Sequence, residues 1–210
     1  MQYLSSAFMA SGWRQRLWLA LLLAASVAFT LGFACAVPFA AFGAITALTL
    51  NRRDALLLTV ALWLVNQIIG FTILQYPWEA MTLAWGAVLG VVAVLTTAAA
   101  QAVMGGRPAV VAALASLGVA FVVYEGSLYL VSAAAMGGTE DFAAAIVVRI
   151  LEINVAGFAG LLATAFLLVA AAGSRPHAFR PATRPIASHL GNLRRERGSS
   201  RLAGLTDVRM

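Results

Sequence analysis

Between residues 142 and 173 the chain stays apolar for the length of a membrane crossing, yet its centre reads Ile146-Val147-Val148-Arg149-Ile150-Leu151-Glu152-Ile153-Asn154. A charge placed in hydrocarbon costs about 3 kcal/mol or more. Such residues persist where they face a partner, a water-filled cavity or a ligand. Arg149 and Glu152 stand three apart, on one helix face, where they can pair. Two readings follow: they neutralise each other between packed helices, or they serve a site.

The remainder of the chain is of the same character. Of 210 residues, 62% are hydrophobic and 10% charged, which excludes an ordinary soluble domain and indicates a polytopic membrane protein. Every basic residue is Arg, and the formal net charge of +6 sits in the segment after Gly173: Arg175, Arg180, Arg184, Arg194, Arg195, Arg197, Arg201 and Arg209 against Glu196 and Asp207. A basic tail of this kind belongs beside anionic lipid rather than nucleic acid. The single Cys35 excludes an intrachain disulfide and a cysteine-based zinc site. Both histidines, His177 and His189, lie in the tail. No metal or other cofactor is therefore expected in the membrane part. An intramembrane enzyme would need a nucleophile–base pair or a metal, so the chain is not expected to be an enzyme. No Gly-x-x-x-x-Gly-Lys loop is present, so any energy from ATP must come through another chain.

Taken in order, residues 1–13 form a lead-in, and Trp13, Arg14, Arg16 and Trp18 read as an interfacial anchor. The apolar run that follows is too long for a signal peptide and is kept as mature protein. From Leu17 to Leu50 it exceeds the roughly 20 residues of one crossing, and Pro38 is its natural break. This predicts helix 1 over 14–37 and a short helix 2 over 39–50. Asn51-Arg52-Arg53-Asp54 reads as a polar loop, followed by helix 3 over 55–75, a Tyr76-Pro77-Trp78-Glu79 turn and helix 4 over 80–104. Gly105-Gly106-Arg107-Pro108 turns the chain into helix 5 over 109–136. Gly137-Gly138-Thr139-Glu140-Asp141 leads to helix 6 over 142–172, with Asp141 or Thr139 as its cap.

Loop charge orients these helices. Arg14, Arg16, Arg52, Arg53, Arg107 and the tail share one side, and the loops of the other side have no Lys or Arg. The positive-inside rule places the arginine side in the cytoplasm. The expectation is an all-α membrane protein of six transmembrane helices, the second short, with both termini cytoplasmic. Residues 14–173 form the membrane domain and 174–210 a basic, disordered cytoplasmic tail. The expected location is the cytoplasmic (inner) membrane of a bacterium.

Depth follows from the rise of an α-helix. Arg149 and Glu152 lie about 12 and 16 Å below the outer end of helix 6, Glu125 about 16 Å down helix 5, and Asn66 and Gln67 about 12–14 Å down helix 3. Polar groups from three helices thus share one layer in the outer half of the membrane. With Trp85 and Tyr129 just above, and Trp63 and Tyr124 at similar levels, they predict a pocket for a flat, partly apolar ligand. The expected substrate-binding residues are Asn66, Gln67, Trp85, Glu125, Tyr129, Arg149 and Glu152. Two carboxylates against one guanidinium, with neutral amides beside them, favour mixed polar recognition of a large, mostly neutral cofactor.

Ala20, Ala24, Ala28, Gly32 and Ala36 recur every four residues, a smooth stripe on which another helix can pack closely, either inside the monomer or from another protein. Gly86 and Gly90 repeat the spacing once on helix 4. In size, helix number and outward-leaning pocket, residues 14–172 resemble the substrate-binding S-components of energy-coupling-factor vitamin transporters. Ala20-x-x-x-Ala24-x-x-x-Ala28 matches the helix 1 face by which those subunits meet their coupling subunit. The stretch Gly70-Phe71-Thr72…Tyr76-Pro77…Trp85-Gly86-Ala87 is similar to the helix 3–4 region of the solitary cobalamin-type members. Where members of that group carry a cysteine as cobalt ligand, this chain has Thr72.

The resemblance implies a membrane subunit that binds a vitamin or cofactor precursor, cobalamin-like by the helix 3–4 match, for uptake energised by a coupling transmembrane subunit and ATPase. Ala20, Ala24 and Ala28 are the partner-binding positions it implies. The alternative is a non-transporting membrane scaffold that holds a partner through helix 1 and the basic tail. Membrane lipid is a partner in either case, and nucleic acid in neither.

Overall fold

The computed structural model describes residues 12–33 and 37–173. Most of the lead-in, Cys35, Ala36 of the small-residue stripe, and the tail with its expected disorder and both histidines lie outside the described residues. The described chain is helical: α1 (Gly12–Phe33), α2 (Phe39–Thr49), α3 (Arg52–Thr72), α4 (Ala80–Ala102), α5 (Ala109–Val131) and α6 (Ala144–Gly173). A π-helical turn over Ser132–Met136 extends α5, and a 3₁₀ turn over Thr139–Phe142 precedes α6. Five of the six helices are long and apolar enough to cross a membrane. They carry large apolar side chains on their outer faces, among them Leu57, Ile68, Val91, Val110 and Leu167. An apolar exterior over five membrane-length helices is the surface of a multi-pass membrane protein, because lipid rather than water can cover it.

The short helix organises the bundle. All eleven residues of α2 are buried, and it packs against α3, α4, α5 and α6. A helix apolar on every side belongs in the interior, and its Ala and Gly positions let neighbours approach from all directions. At Gly43 an added Cβ would lie 3.1 Å from Thr97 Oγ1. At about 16 Å, α2 covers only about half of the 30 Å hydrocarbon thickness, so one end lies at membrane depth. That end is the N-terminus, whose first N–H groups have no partner within the helix. Asn154 of α6 supplies one: the Ala41 amide donates to its Oδ1 at 3.0 Å, while its Nδ2 donates to the Ile150 carbonyl at 2.9 Å. Phe39 N donates to the Val37 carbonyl, and Phe42 N to that of Pro38.

Other polar contacts join the remaining helices. Trp18 is wholly buried and donates from Nε1 to Thr49 Oγ1 at 3.0 Å, tying α1 to the end of α2. It is thus a core anchor rather than the interfacial one that its place beside Arg16 implies; Trp13 remains exposed. Asn51 is no mere loop residue either. Its Oδ1 accepts from Asp54 N, capping α3, which therefore starts at Arg52, and Gln15 Nε2 donates to Asp54 Oδ2 at 2.8 Å. The Gln15 contact brings the starts of α1 and α3 to one end of the bundle, and antiparallel succession brings Arg107 there too. At the far end α3 stops at Thr72, with the Tyr76 ring lying over Gly70, where a Cβ would meet it at 2.7 Å.

Candidate functional site

Because α2 is a half-length helix, the bundle is filled at its arginine end and hollow at the other. The missing half would be a cylinder of roughly 14 Å by 10 Å, about 1100 Å³. A cavity of about 1200 Å³ lies there. Val37 and the Tyr124 ring, which leans on Phe39 at 6.2 Å, form its floor where α2 begins. Its walls come from Phe33 of α1, Trp85 and Leu89 of α4, Glu125, Leu128 and Ser132 on the α5 side, and the α6 face from Ala145 to Ile153 with Arg149 and Glu152. Gly137, Gly138, Asp141 and Phe142 close its outer edge.

The outer edge depends on two adjacent glycines. Gly137 and Gly138 have φ of 72° and 86°, positive values that few side chains tolerate. They end the π-helical turn, where Ser132 Oγ donates to the Gly137 carbonyl, and start the 3₁₀ turn. Turns of π type occur often beside functional sites. The helix proper resumes only at Ala144, after Ile146 N and Val147 N have both donated to the Ala143 carbonyl. Asp141 and Phe142 are thereby placed on the cavity rather than at the start of α6.

Four of the residues expected in a pocket meet here: Trp85, Glu125, Arg149 and Glu152. Arg149 and Glu152 are exposed and make no hydrogen bond or ion pair with each other or with any other described residue. Glu125 is only 9% exposed, and its Oε1 is inaccessible and without a hydrogen-bond partner among the described residues. A buried carboxylate oxygen in this state costs free energy until a donor or cation reaches it.

The other three do not line the cavity. Asn66 is buried and donates from Nδ2 to Thr30 Oγ1 at 3.3 Å, and Gln67 Nε2 donates to Asn66 Oδ1, also at 3.3 Å. Both amides join α1, α3 and α4. Tyr129 is 47% exposed and stands edge-on against Phe142, ring centroids 5.4 Å apart, so it supports the wall from behind. Trp63 is likewise structural, donating from Nε1 to the Gly86 carbonyl at 2.8 Å.

Ser132, Asp141 and Phe142 join the site without having been singled out for it. The spacing carries part of that signal: Leu128 and Ser132 continue the face of Tyr124 at intervals of four, and Ala145, Arg149 and Ile153 do the same on α6. Asp141 reaches the cavity through the glycine turn, which has no periodicity to read.

Ala20, Ala24 and Ala28 are all exposed, and Gly32 has open space where a Cβ would stand. The inward face of α1 is the other series, Trp18, Leu22, Ser26 and Thr30. The small-residue stripe therefore lies on the outside of this monomer. Gly86 and Gly90, by contrast, are internal: a Cβ there would lie 2.6 Å from Gln67 Oε1 and 2.6 Å from the Trp63 ring. No family model, curated protein or solved structure matches the chain.

Proposed function

We propose that this protein is a membrane-embedded substrate-binding subunit that takes up a vitamin-sized molecule and depends on a partner chain for energy. The observation that carries this reading is the cavity of about 1200 Å³, walled by aromatic and apolar side chains, with Glu125, Arg149 and Glu152 making no ion pair among the described residues. Charges used only to hold helices together would be paired. Here they face a space large enough for a cofactor-sized ligand. In a bacterial cytoplasmic membrane, with the arginine end inside by the positive-inside rule, the cavity leans toward the outer face. The exposed Ala20, Ala24 and Ala28 face supports a role for a coupling transmembrane subunit, since small residues let a second helix approach closely. This is the arrangement that the resemblance to energy-coupling-factor S-components implies.

The test is a thermal-shift screen of purified protein against vitamins and cofactor precursors, with mass analysis of any co-purified small molecule. A ligand at a hundred times its Kd raises stability by about 2.7 kcal/mol. The shift should vanish in Arg149→Met/Glu152→Gln. A protein that carries no ligand, responds to none and still captures a membrane partner would instead be the scaffold that the exposed helix 1 face also allows.

A further inference from the structure

We propose that the cavity selects an organic cation, a protonated amine or quaternary ammonium group carried on a flat apolar body. This rests on the ligand-site reading above and names its ligand class. Three carboxylates, Glu125, Asp141 and Glu152, line the cavity against one guanidinium, Arg149. One guanidinium balances one carboxylate, so the lining keeps an excess of negative charge. The sequence alone places two carboxylates beside two neutral amides. The fold adds Asp141 and withdraws Asn66 and Gln67 into helix packing, which moves the preference from neutral to cationic ligands.

The second observation is Glu125 itself. It is 9% exposed, it lines the cavity, and its Oε1 has no hydrogen-bond partner among the described residues. A cation on the cavity side of this carboxylate offsets the charge that burial leaves uncompensated, and an anionic ligand would worsen its position. Arg149 does not meet the need, since it makes no ion pair among the described residues.

The aromatic walls point the same way. Phe33, Trp85, Tyr124 and Phe142 present rings around the space, and a cation over such a ring is attracted by its quadrupole. A bare metal ion fits less well, because among the described residues no three His, Cys, Asp or Glu side chains come together as a metal site. Negative charge spread along the walls suits an extended organic cation.

The experiment uses three probes that share one ring system and differ in charge: naphthylmethylammonium, naphthylmethanol and naphthoate. Each is titrated by calorimetry into the purified full chain, and into Glu125→Gln, Glu152→Gln and Arg149→Gln variants whose melting confirms folding. The ammonium should bind at least about tenfold more tightly than the alcohol, lose about tenfold in Glu125→Gln or Glu152→Gln, and gain affinity in Arg149→Gln, which removes the one positive charge of the lining. Glu152 is exposed, so its variant reads the effect even if Glu125→Gln fails to fold. Naphthoate binding most tightly and losing affinity in Arg149→Gln would overturn the cation class and leave a ligand site. Equal binding of alcohol and ammonium would do the same. Binding of none of the three would overturn both the class and the ligand site.

Discussion

Asn154 shows how one side chain lets a half-length helix exist at membrane depth. Water caps an exposed helix end; hydrocarbon cannot, and each unsatisfied backbone group there costs several kcal/mol. Asn154 reaches from α6 to the Ala41 amide and keeps its own Nδ2 satisfied within α6. Asn154→Ala should therefore lower stability by about 1–3 kcal/mol, read as a fall in melting temperature. An unchanged melt would show that the cap is dispensable. Arg149 and Glu152 should behave in the opposite way. Both are exposed and make no ion pair among the described residues. Arg149→Met, Glu152→Gln and their combination should each stay within about 0.5 kcal/mol of the parent. Two destabilised single variants with a restored double would revive mutual neutralisation.

Spacing of four residues has two different meanings in this bundle. On α4, Gly86 and Gly90 seat Gln67 and the Trp63 indole of α3, and the Trp63 Nε1 bond to the Gly86 carbonyl holds the seam. Gly90→Ala puts a methyl group against a rigid ring and should cost about 1–3 kcal/mol as overpacking, with Gly118→Ala, where space is open, as the mild control by melting temperature. On α1 the large series Trp18, Leu22, Ser26 and Thr30 turns inward, and Ala20, Ala24 and Ala28, two residues along and so about 200° around, turn outward. Ala24→Leu and Ala28→Leu should leave melting and ligand response unchanged while abolishing uptake in cells. A collapse of folding in either variant would show an internal role for that face.

The helical unit as a whole is packed at its arginine end and hollow at the other. The orientation that loop charge predicts for it is open to direct measurement. In a Cys35→Ala background, Arg107→Cys should be shielded from an impermeant thiol reagent in intact cells, and Thr139→Cys should be labelled. Labelling of the first and not the second would invert the orientation and turn the cavity toward the cytoplasm.

Helix number, helix length and the sidedness of the arginines were legible in the chain because hydrocarbon imposes them locally: a crossing needs its run of apolar residues, and loop charge acts loop by loop. The shortness of α2 was legible from Pro38 and Asn51 for the same reason. The constant rise per residue also predicts axial depth. What depth omits is direction around the helix. Asn66, Gln67 and Glu125 are expected at matched levels, but only Glu125 lines the hollow, because which face of each helix points inward depends on what packs against it. In lipid the apolar faces are nearly interchangeable, so the hydrophobic pattern leaves that rotation open. Close contacts settle it: Trp63 on Gly90, Asn66 on Thr30 and Asn154 on α2 set the rotation of α3, α4 and α6. The glycine turn brings Asp141 and Phe142 to the cavity, and the face that α5 and its π-helical turn present brings Ser132 there and leaves Tyr129 behind the wall.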